Sequence, residues 1–470
     1  MSYDLVVIGS GGAAFSAAIA ARRKNKTVAM IERGTIGGTC VNTGCVPSKA
    51  LLAAAEARHI AGHHPFPGIR TDAGPVDFPA LITGMRALVE QIRADKYIDL
   101  AAHHDWHICR GAARFVAGPS IEVALPGGGS QRIEAEHYVI ATGSAPVAPL
   151  IPGLAEAGYL TSTSAMELDE LPDSLIVLGS GYVGLELAQL FAHLGTQVTV
   201  VEILDRLAPA EEPETSRVIE DVFADEGIQV RTRVTVTSVH RTEGTVFVTL
   251  CRPDGNLEQL RAQHVLVATG RRPVTDDLNL ATVGVKTGDR GEVLVDPRLR
   301  THHSRIWAAG DVTGYPQFVY VAGAHGALIA ENAFDNADRT LDYRHLPRVT
   351  FTSPQVASVG LTEEQAIRRG LDCTCRVLPL DYLSRALVNR DTRGLVKIVA
   401  QHATGRVLGV SLVAPNAGDA ILAAVYAVKH CMTVDEMADT WAPYLTVGEG
   451  LRLAAQTFTR DIALLSCCAS

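Results

Sequence analysis

Several features that would place a chain of 470 residues in a large functional class are missing here. No apolar run approaches the ~18 residues of a membrane span, which argues against membrane insertion. Positive charge is not in excess: 42 Lys and Arg stand against 51 Asp and Glu, a formal net charge of −9. That balance argues against a nucleic-acid-binding surface as the main business of the chain. A secretion signal would need a basic and then uninterrupted apolar start, but Asp4 interrupts Met1-Ser-Tyr-Asp-Leu-Val-Val-Ile, so a cytoplasmic protein is expected. Nine cysteines are too few, and odd in number, for a disulfide-scaffolded secreted protein. With 47% hydrophobic and 20% charged residues, wholesale disorder is also excluded. The length suits roughly three domains at about 150 residues each.

What is present is, first, an internal repeat. Asp4-Leu-Val-Val-Ile-Gly9-Ser-Gly11-Gly-Ala-Ala14 reads as a strand entering a glycine-rich turn and an Ala-rich helix, followed by a strand ending at Glu32. Ser174-Leu-Ile-Val-Leu-Gly179-Ser-Gly181-Tyr-Val-Gly184 repeats it, with a strand ending at Glu202. First glycine and terminal acid are 23 positions apart both times. The first glycine makes the turn and the second lets a pyrophosphate approach the backbone. The third small residue packs helix on strand, the helix N-terminus receives negative charge, and the acid accepts from a ribose hydroxyl. Two such units in register predict two dinucleotide sites.

Tyr138-Val-Ile-Ala-Thr142-Gly143 and Val265-Leu-Val-Ala-Thr-Gly270 repeat a second strand-end signal, and Ile306-Trp-Ala-Ala-Gly-Asp311 ends a strand on an acid. From about residue 345 the pattern becomes antiparallel, with strands expected around Val349–Thr352, Cys373–Leu378, 394–399 and 407–412 and helices at Ala417–Lys429 and 434–438. The expected fold is α/β: two Rossmann-like dinucleotide-binding domains and a C-terminal α+β domain. The expected boundaries are 1–150 with 271–342, then 151–270, then 343–470.

Two thiol pairs stand at opposite ends of the chain. Gly38-Thr39-Cys40-Val-Asn-Thr-Gly-Cys45-Val-Pro-Ser-Lys49 follows the first ribose-binding acid, on a stretch expected to enter a helix. A helix N-terminus and a neighbouring cofactor lower a thiol's pKa, and the thiolate is the reactive species. Cys467 and Cys468 are adjacent, where a disulfide would close a strained ring, and as thiols they offer two soft ligands to a thiophilic cation.

With these motifs the chain resembles the pyridine nucleotide–disulfide oxidoreductases over essentially its whole length. The resemblance implies FAD in the first site and a nicotinamide nucleotide in the second. It implies that Cys45 faces the flavin, that Cys40 faces the substrate, and that Lys49 and Glu186 pair near the flavin's reactive edge. Gly9, Gly11, Ala14, Glu32 and Asp311 map to FAD contacts and Gly179, Gly181 and Gly184 to the nicotinamide nucleotide, with Thr39, Thr142, Gly143 and Gly270 joining the cofactor contacts. A homodimer is implied, each tail reaching the other subunit's flavin site.

Members of the family that reduce organic disulfides carry a C-terminal His base with a Glu five residues on. Here Glu449 is present but Tyr444 stands at the His position, and a phenol with pKa of about 10 is a poor base at neutral pH. Together with Tyr320 and the tail pair, this is similar to the branch of the family that reduces Hg(II). The resemblance implies that Hg(II), arriving as small-thiol complexes, passes from Cys467 and Cys468 to Cys40 and Cys45. A dihydrolipoamide-type disulfide reductase and a non-catalytic thiol sequestering protein are the competing readings. Glu202 favours the free 2′-hydroxyl of NADH, Arg206 offers a partner to a 2′-phosphate, and the resemblance tips the expectation to NADPH with NADH possible. The His-rich pieces (His59, His63, His64; His103, His104, His107) read as solvated surface.

Overall fold

A computed structural model describes residues 2–462, so Cys467 and Cys468 lie outside the described residues. The chain divides into two compact units, and the division falls inside the helix Cys45–His63.

The first unit comprises 2–50, 79–147 and 270–341. Its centre is a parallel sheet in the order His107–Arg110, Val28–Glu32, Ser2–Ile8, Ser130–Ile140, Ile306–Ala308. Such strands are covered on both faces and read as apolar runs; Leu5, Val6 and Val7 are accordingly fully buried. The long strand Ser130–Ile140 leaves the parallel sheet to pair antiparallel with Ser120–Ala124, which pairs with Ala112–Val116. The helix Gly12–Arg22 lies against Val319–Phe334. A Cβ on Gly326 would fall 2.2 Å from the Ala13 carbonyl oxygen, so only glycine permits that approach.

The second unit comprises 51–78, 148–269 and 342–462. Residues 174–267 repeat the first plan: parallel strands in the order Gln229–Arg231, Gln197–Val201, Ser174–Leu178, His264–Val267, and an antiparallel meander Thr235–Thr242, Thr245–Cys251, Leu257–Ala262. After residue 342 comes a five-stranded antiparallel sheet in the order Pro347–Thr350, Gln355–Gly360, Val407–Ala414, Leu395–Gln401, Cys373–Pro379. The strand Gln355–Gly360 was not expected. The helix Ala417–Lys429 packs on this sheet through Ile421, Ala424 and Val428.

Lys397, in the strand Leu395–Gln401, is 1% exposed. Its ammonium donates to Glu212 (3.0 Å), Glu214 (3.1 Å) and Glu363 (2.7 Å). Burial lowers its pKa, but those three carboxylates outweigh burial and hold it above the ordinary lysine value. Among the described residues no helix is long and apolar enough to cross a membrane.

Candidate active site

The two glycine turns are built alike, and for steric reasons. Gly9 has φ +106°, and a Cβ there would sit 2.4 Å from the Ala141 carbonyl oxygen. Gly179 has φ +100°, with the Ala268 oxygen 2.7 Å from the same position. Those alanines open the two Ala-Thr-Gly segments, which is why both motifs occur twice. A Cβ on Gly184 would lie 2.1 Å from the Gly179 oxygen, while Ala14, its counterpart, is fully buried. The helices Gly12–Arg22 and Tyr182–Leu194 start after Gly11 and Gly181 with no side-chain cap, leaving their first amides to receive an anion.

The acids are braced by corresponding groups, and the Ser180 amide adds a third donor to Glu202 (2.9 Å). Ser10 Oγ donates to Glu32 Oε2 (2.6 Å), and the Gly34 amide to Glu32 Oε1 (2.6 Å). Ser180 Oγ donates to Glu202 Oε2 (2.7 Å), and the Leu204 amide to Glu202 Oε1 (2.9 Å). Each turn thus offers an open helix start and a fixed carboxylate, and the residues of the first fit the pyrophosphate and ribose of FAD.

The thiols are tied to the first turn. Ser10 Oγ also accepts the Gly37 amide (3.1 Å), and a Cβ on Gly38 would meet Gly11 Cα at 2.5 Å. Directly after this contact, the short helix Gly38–Asn42 carries Thr39 and Cys40, and Cys45 opens the helix Cys45–His63. Asn42 Nδ2 donates to the carbonyls of Ile36 (3.0 Å) and Gly38 (2.9 Å), and Arg93 holds Asn42 Oδ1 (3.1 Å). Cys40 is half-buried and Cys45 exposed. The hydrogen bond with Cys45, then burial, raises the Cys40 thiol well above its ordinary pKa, with Lys49 pulling the other way. Lys49 lies one helical turn beyond Cys45.

Two neighbours of this site escaped the sequence reading. Tyr97, on the π-helical turn Ala94–Ile98, has its pKa raised by burial and by Cys40 and Cys45, and its ring packs edge-on against Phe15 at 4.8 Å. Arg271 follows Gly270 and donates to Ser144 Oγ (2.8 Å), which donates to Asp311 Oδ2 (2.7 Å). Burial lowers the Arg271 pKa, with Asp311 and Cys45 opposing. The Arg-Arg-Pro after the second Ala-Thr-Gly was the available signal for Arg271. For Tyr97 no sequence signal existed.

Asp311 sits on the turn Gly310–Thr313, anchored from below by His325, whose Nδ1 accepts the Gly310 amide (3.1 Å). Burial lowers the His325 pKa to about 4. Between that value and the unfolded value near 6.5 the unfolded chain binds the extra proton, so stability is lost as pH falls through this window. The loss at pH 4 is expected to reach roughly 3 kcal/mol, and His325→Gln should flatten that part of a denaturation-versus-pH curve. An unchanged slope would show that another group controls it.

The remaining expected residues are found in both units. Glu186 is 5% exposed in the helix Tyr182–Leu194, and its Oε1 accepts the Phe351 amide (2.9 Å). Tyr320, in the first turn of Val319–Phe334, is exposed and stacks on Phe318 at 5.2 Å. Tyr444 is exposed in the second unit. Glu449, buried and therefore raised in pKa, accepts the Leu445 amide (3.3 Å), so its carboxylate holds the loop that carries Tyr444. Arg206 turns inward onto the carbonyls of Pro209 (3.0 Å) and Glu211 (3.4 Å).

Not all of the histidines are solvated surface. His59 stacks on His193 (3.9 Å) and on His63 (4.5 Å), and the imidazole nitrogens of His59 and His193 approach Glu226. These are metal-type ligands within 4.8 Å of one another. Their rings are only 14° from parallel, however, so in-plane lone pairs cannot converge on one ion, and Arg393 already serves Glu226 at 3.4 Å. Cys373 and Cys375 share one face of an edge strand, and burial, with Glu363 and Cys373, pushes the Cys375 thiol up to about 12.

Residues 3–326 match the family described as pyridine nucleotide-disulphide oxidoreductase, and 346–455 match its dimerisation domain. The chain belongs to that family and is a flavin- and pyridine-nucleotide-dependent oxidoreductase. It is 60% identical over 468 residues to mercuric reductase of Streptomyces lividans, covering 99% of this chain and 98% of that one. It is 47% identical to mercuric reductase of Staphylococcus aureus, covering 99% and 84%. Among solved structures it resembles the Cu(II) complex of the HOCl-induced flavoprotein disulfide reductase RclA from Escherichia coli (TM-score 0.88, 30% identity, 98% and 100% covered). It also resembles LpdA from Mycobacterium tuberculosis (TM-score 0.86, 29% identity, 97% and 100% covered).

Proposed function

We propose that this protein reduces Hg(II) to Hg(0) with electrons from a nicotinamide nucleotide: Hg(II) + NAD(P)H → Hg(0) + NAD(P)+ + H+. The observation that carries the reading is the dithiol segment hydrogen-bonded to the nucleotide turn through Ser10, combined with Tyr444 where a disulfide reductase needs its imidazole base. The relatives named mercuric reductase support it. Bound FAD, held by Gly9, Gly11, Ala14, Glu32 and Asp311, supplies the two-electron relay between nucleotide and metal.

Cys40 and Cys45 are the ligands on which Hg(II) is held for reduction. Soft thiolates suit this cation, and its arrival displaces the proton that Cys40 retains. Lys49 places positive charge beside the pair. Cys467 and Cys468 hand the metal on by thiolate exchange, so it is never released as a free ion. Neutral mercury, having lost its affinity for thiolate, then leaves. Tyr320 and Tyr444 assist ligand exchange by hydrogen bonding rather than by taking a proton. The chain works in the cytoplasm as a homodimer, each tail serving the partner's site; exposed Leu422 and Tyr426 on Ala417–Lys429 and Trp441 nearby in sequence supply apolar surface for association.

The test is nucleotide oxidation by the FAD-loaded protein with Hg(II) and excess small thiol, then with lipoamide or glutathione disulfide. Hg-dependent oxidation with at least about a hundredfold lower disulfide turnover is expected, because the general base is worth that much. Disulfide turnover alone would favour a dihydrolipoamide-type enzyme, and mercury binding without oxidation a sequestering protein.

A further inference from the structure

Two thiols away from the flavin-side pair stand together on the five-stranded sheet. Cys373 and Cys375 alternate along the strand Cys373–Pro379, opposite Gln401 and Val399 of Leu395–Gln401, so both side chains leave the same face. Both are half-buried, and a hydrogen bond joins one thiol to the other. We propose that Cys373 and Cys375 form a separate metal site that binds Hg(II), a soft cation satisfied by two ligands, as a bis-thiolate. The inference concerns binding alone and does not rest on reduction at Cys40 and Cys45.

The surroundings select that kind of ligand. Thiolates favour soft metals, and a tetrahedral cation such as zinc would need four donors. Among the described residues the group of three or more His, Cys, Asp or Glu side chains close enough to share an ion is His59, His193 and Glu226, so no third such donor converges on this pair. Lys397, opposite Val377 on the same face, is fixed by Glu212, Glu214 and Glu363. Burial, Glu363 and Cys373 keep the Cys375 thiol protonated at neutral pH, while Lys397 favours its thiolate. The resting pair is thus uncharged, and its partial exposure leaves a route for a small-thiol complex of the metal.

The exchange needs no oxidant: Hg(SR)2 + 2 Cys–SH → Hg(S–Cys)2 + 2 RSH. Two mercury–sulfur bonds break and two form, and each departing small thiolate takes the proton of the cysteine that replaces it. Mercury stays Hg(II), and an uncharged pair becomes an uncharged complex, so the Lys397 cluster meets no new charge. The second exchange is intramolecular, with an effective thiol concentration on the order of millimolar or more. The pair therefore holds the metal against a monothiol that strips it from a single cysteine. A disulfide suits the pair less well. Alternate Cα atoms on a strand lie ~6.7 Å apart, at the upper limit for one S–S bond, whereas two metal–sulfur bonds make a longer bridge.

The experiment uses the FAD-loaded full chain carrying Cys40→Ser, Cys45→Ser, Cys467→Ser and Cys468→Ser, which leaves Cys109, Cys251, Cys373, Cys375 and Cys431. It is loaded with Hg(II) as a small-thiol complex and desalted into roughly 1 mM monothiol, and retained metal and free thiols are then counted. About one Hg(II) per chain should stay, and both thiols of the pair should vanish from the count. Adding Cys373→Ser or Cys375→Ser should lower the retained metal roughly tenfold or more at unchanged FAD content. Cys373→Ser, at the first position of the strand, carries the test if Cys375→Ser does not fold. Absence of retained Hg(II) would overturn the inference, as would retention that survives the added substitution. Loss of a single thiol on loading would overturn it too, because it marks a lone cysteine rather than a bis-thiolate.

Discussion

Cys45→Ser is expected to lower Hg(II)-dependent nucleotide oxidation roughly a thousandfold or more, because the thiolate and not the alcohol is the ligand that holds Hg(II) for reduction. The site accommodates the change without rebuilding: Cys45 is exposed at the start of its helix, and the segment before it is pinned by Asn42, Arg93 and the Gly37–Ser10 hydrogen bond. Folding and FAD content should therefore stay at parental levels. Cys40→Ser should be as damaging to turnover, yet the two variants differ in the spectrum. Cys45→Ser should lose the long-wavelength absorbance of a thiolate–flavin contact in the two-electron-reduced protein, whereas Cys40→Ser should keep it. Retention of that band in Cys45→Ser would reverse the two assigned roles, and substantial mercury turnover in either variant would remove the pair from the reaction. Reduction of the flavin by nucleotide should survive in both, which separates loss of chemistry from loss of cofactor.

Lys397→Met is expected to cost about 3–5 kcal/mol in chemical denaturation, the price of leaving a buried charge without its partner. Glu212 decides this, because its side chain is 1% exposed, whereas Glu214 and Glu363 reach solvent at 26% and 42%. A second substitution, Glu212→Gln, should recover a large part of the loss, since it removes the stranded charge. A cost under about 1 kcal/mol, as for an exposed pair, would show that the cluster relaxes into water. Because the folded pKa of Lys397 is raised, its contribution is complete below the unfolded value near 10.4 and fades only as pH climbs past it. The Lys397 effect should thus be flat across neutral pH, unlike that of His325.

The parts of the molecule legible in the sequence are those where sterics leave one residue type. Gly9 and Gly179 face a carbonyl oxygen closer than a Cβ tolerates, so the turn, its neighbouring strand and the acid in register could be read without coordinates. The helix Ala417–Lys429 matched its expected limits because its apolar spacing is helical and its ends are marked. The strand Gln355–Gly360 was missed because it is buried nearly throughout and lacks the alternation of a half-exposed strand. Tyr97 joins the thiols from more than fifty positions downstream, a tertiary fact with no local pattern. Arg206 was chemically suited to a phosphate, but the chain turns it onto carbonyls only a few residues away. Among the histidines read as surface, His63, His103 and His107 are exposed, and His59 departs because it finds His193 on another helix.

Ser10 links two duties that biochemistry treats separately: its hydroxyl donates to Glu32 and accepts from Gly37 at the head of the thiol segment. Mutations at this one side chain would be pleiotropic, weakening retention of the flavin nucleotide and the placement of the thiols together. A change at Ser10 is therefore a change to both duties at once, whereas a change at Cys40 or Cys45 touches only the second.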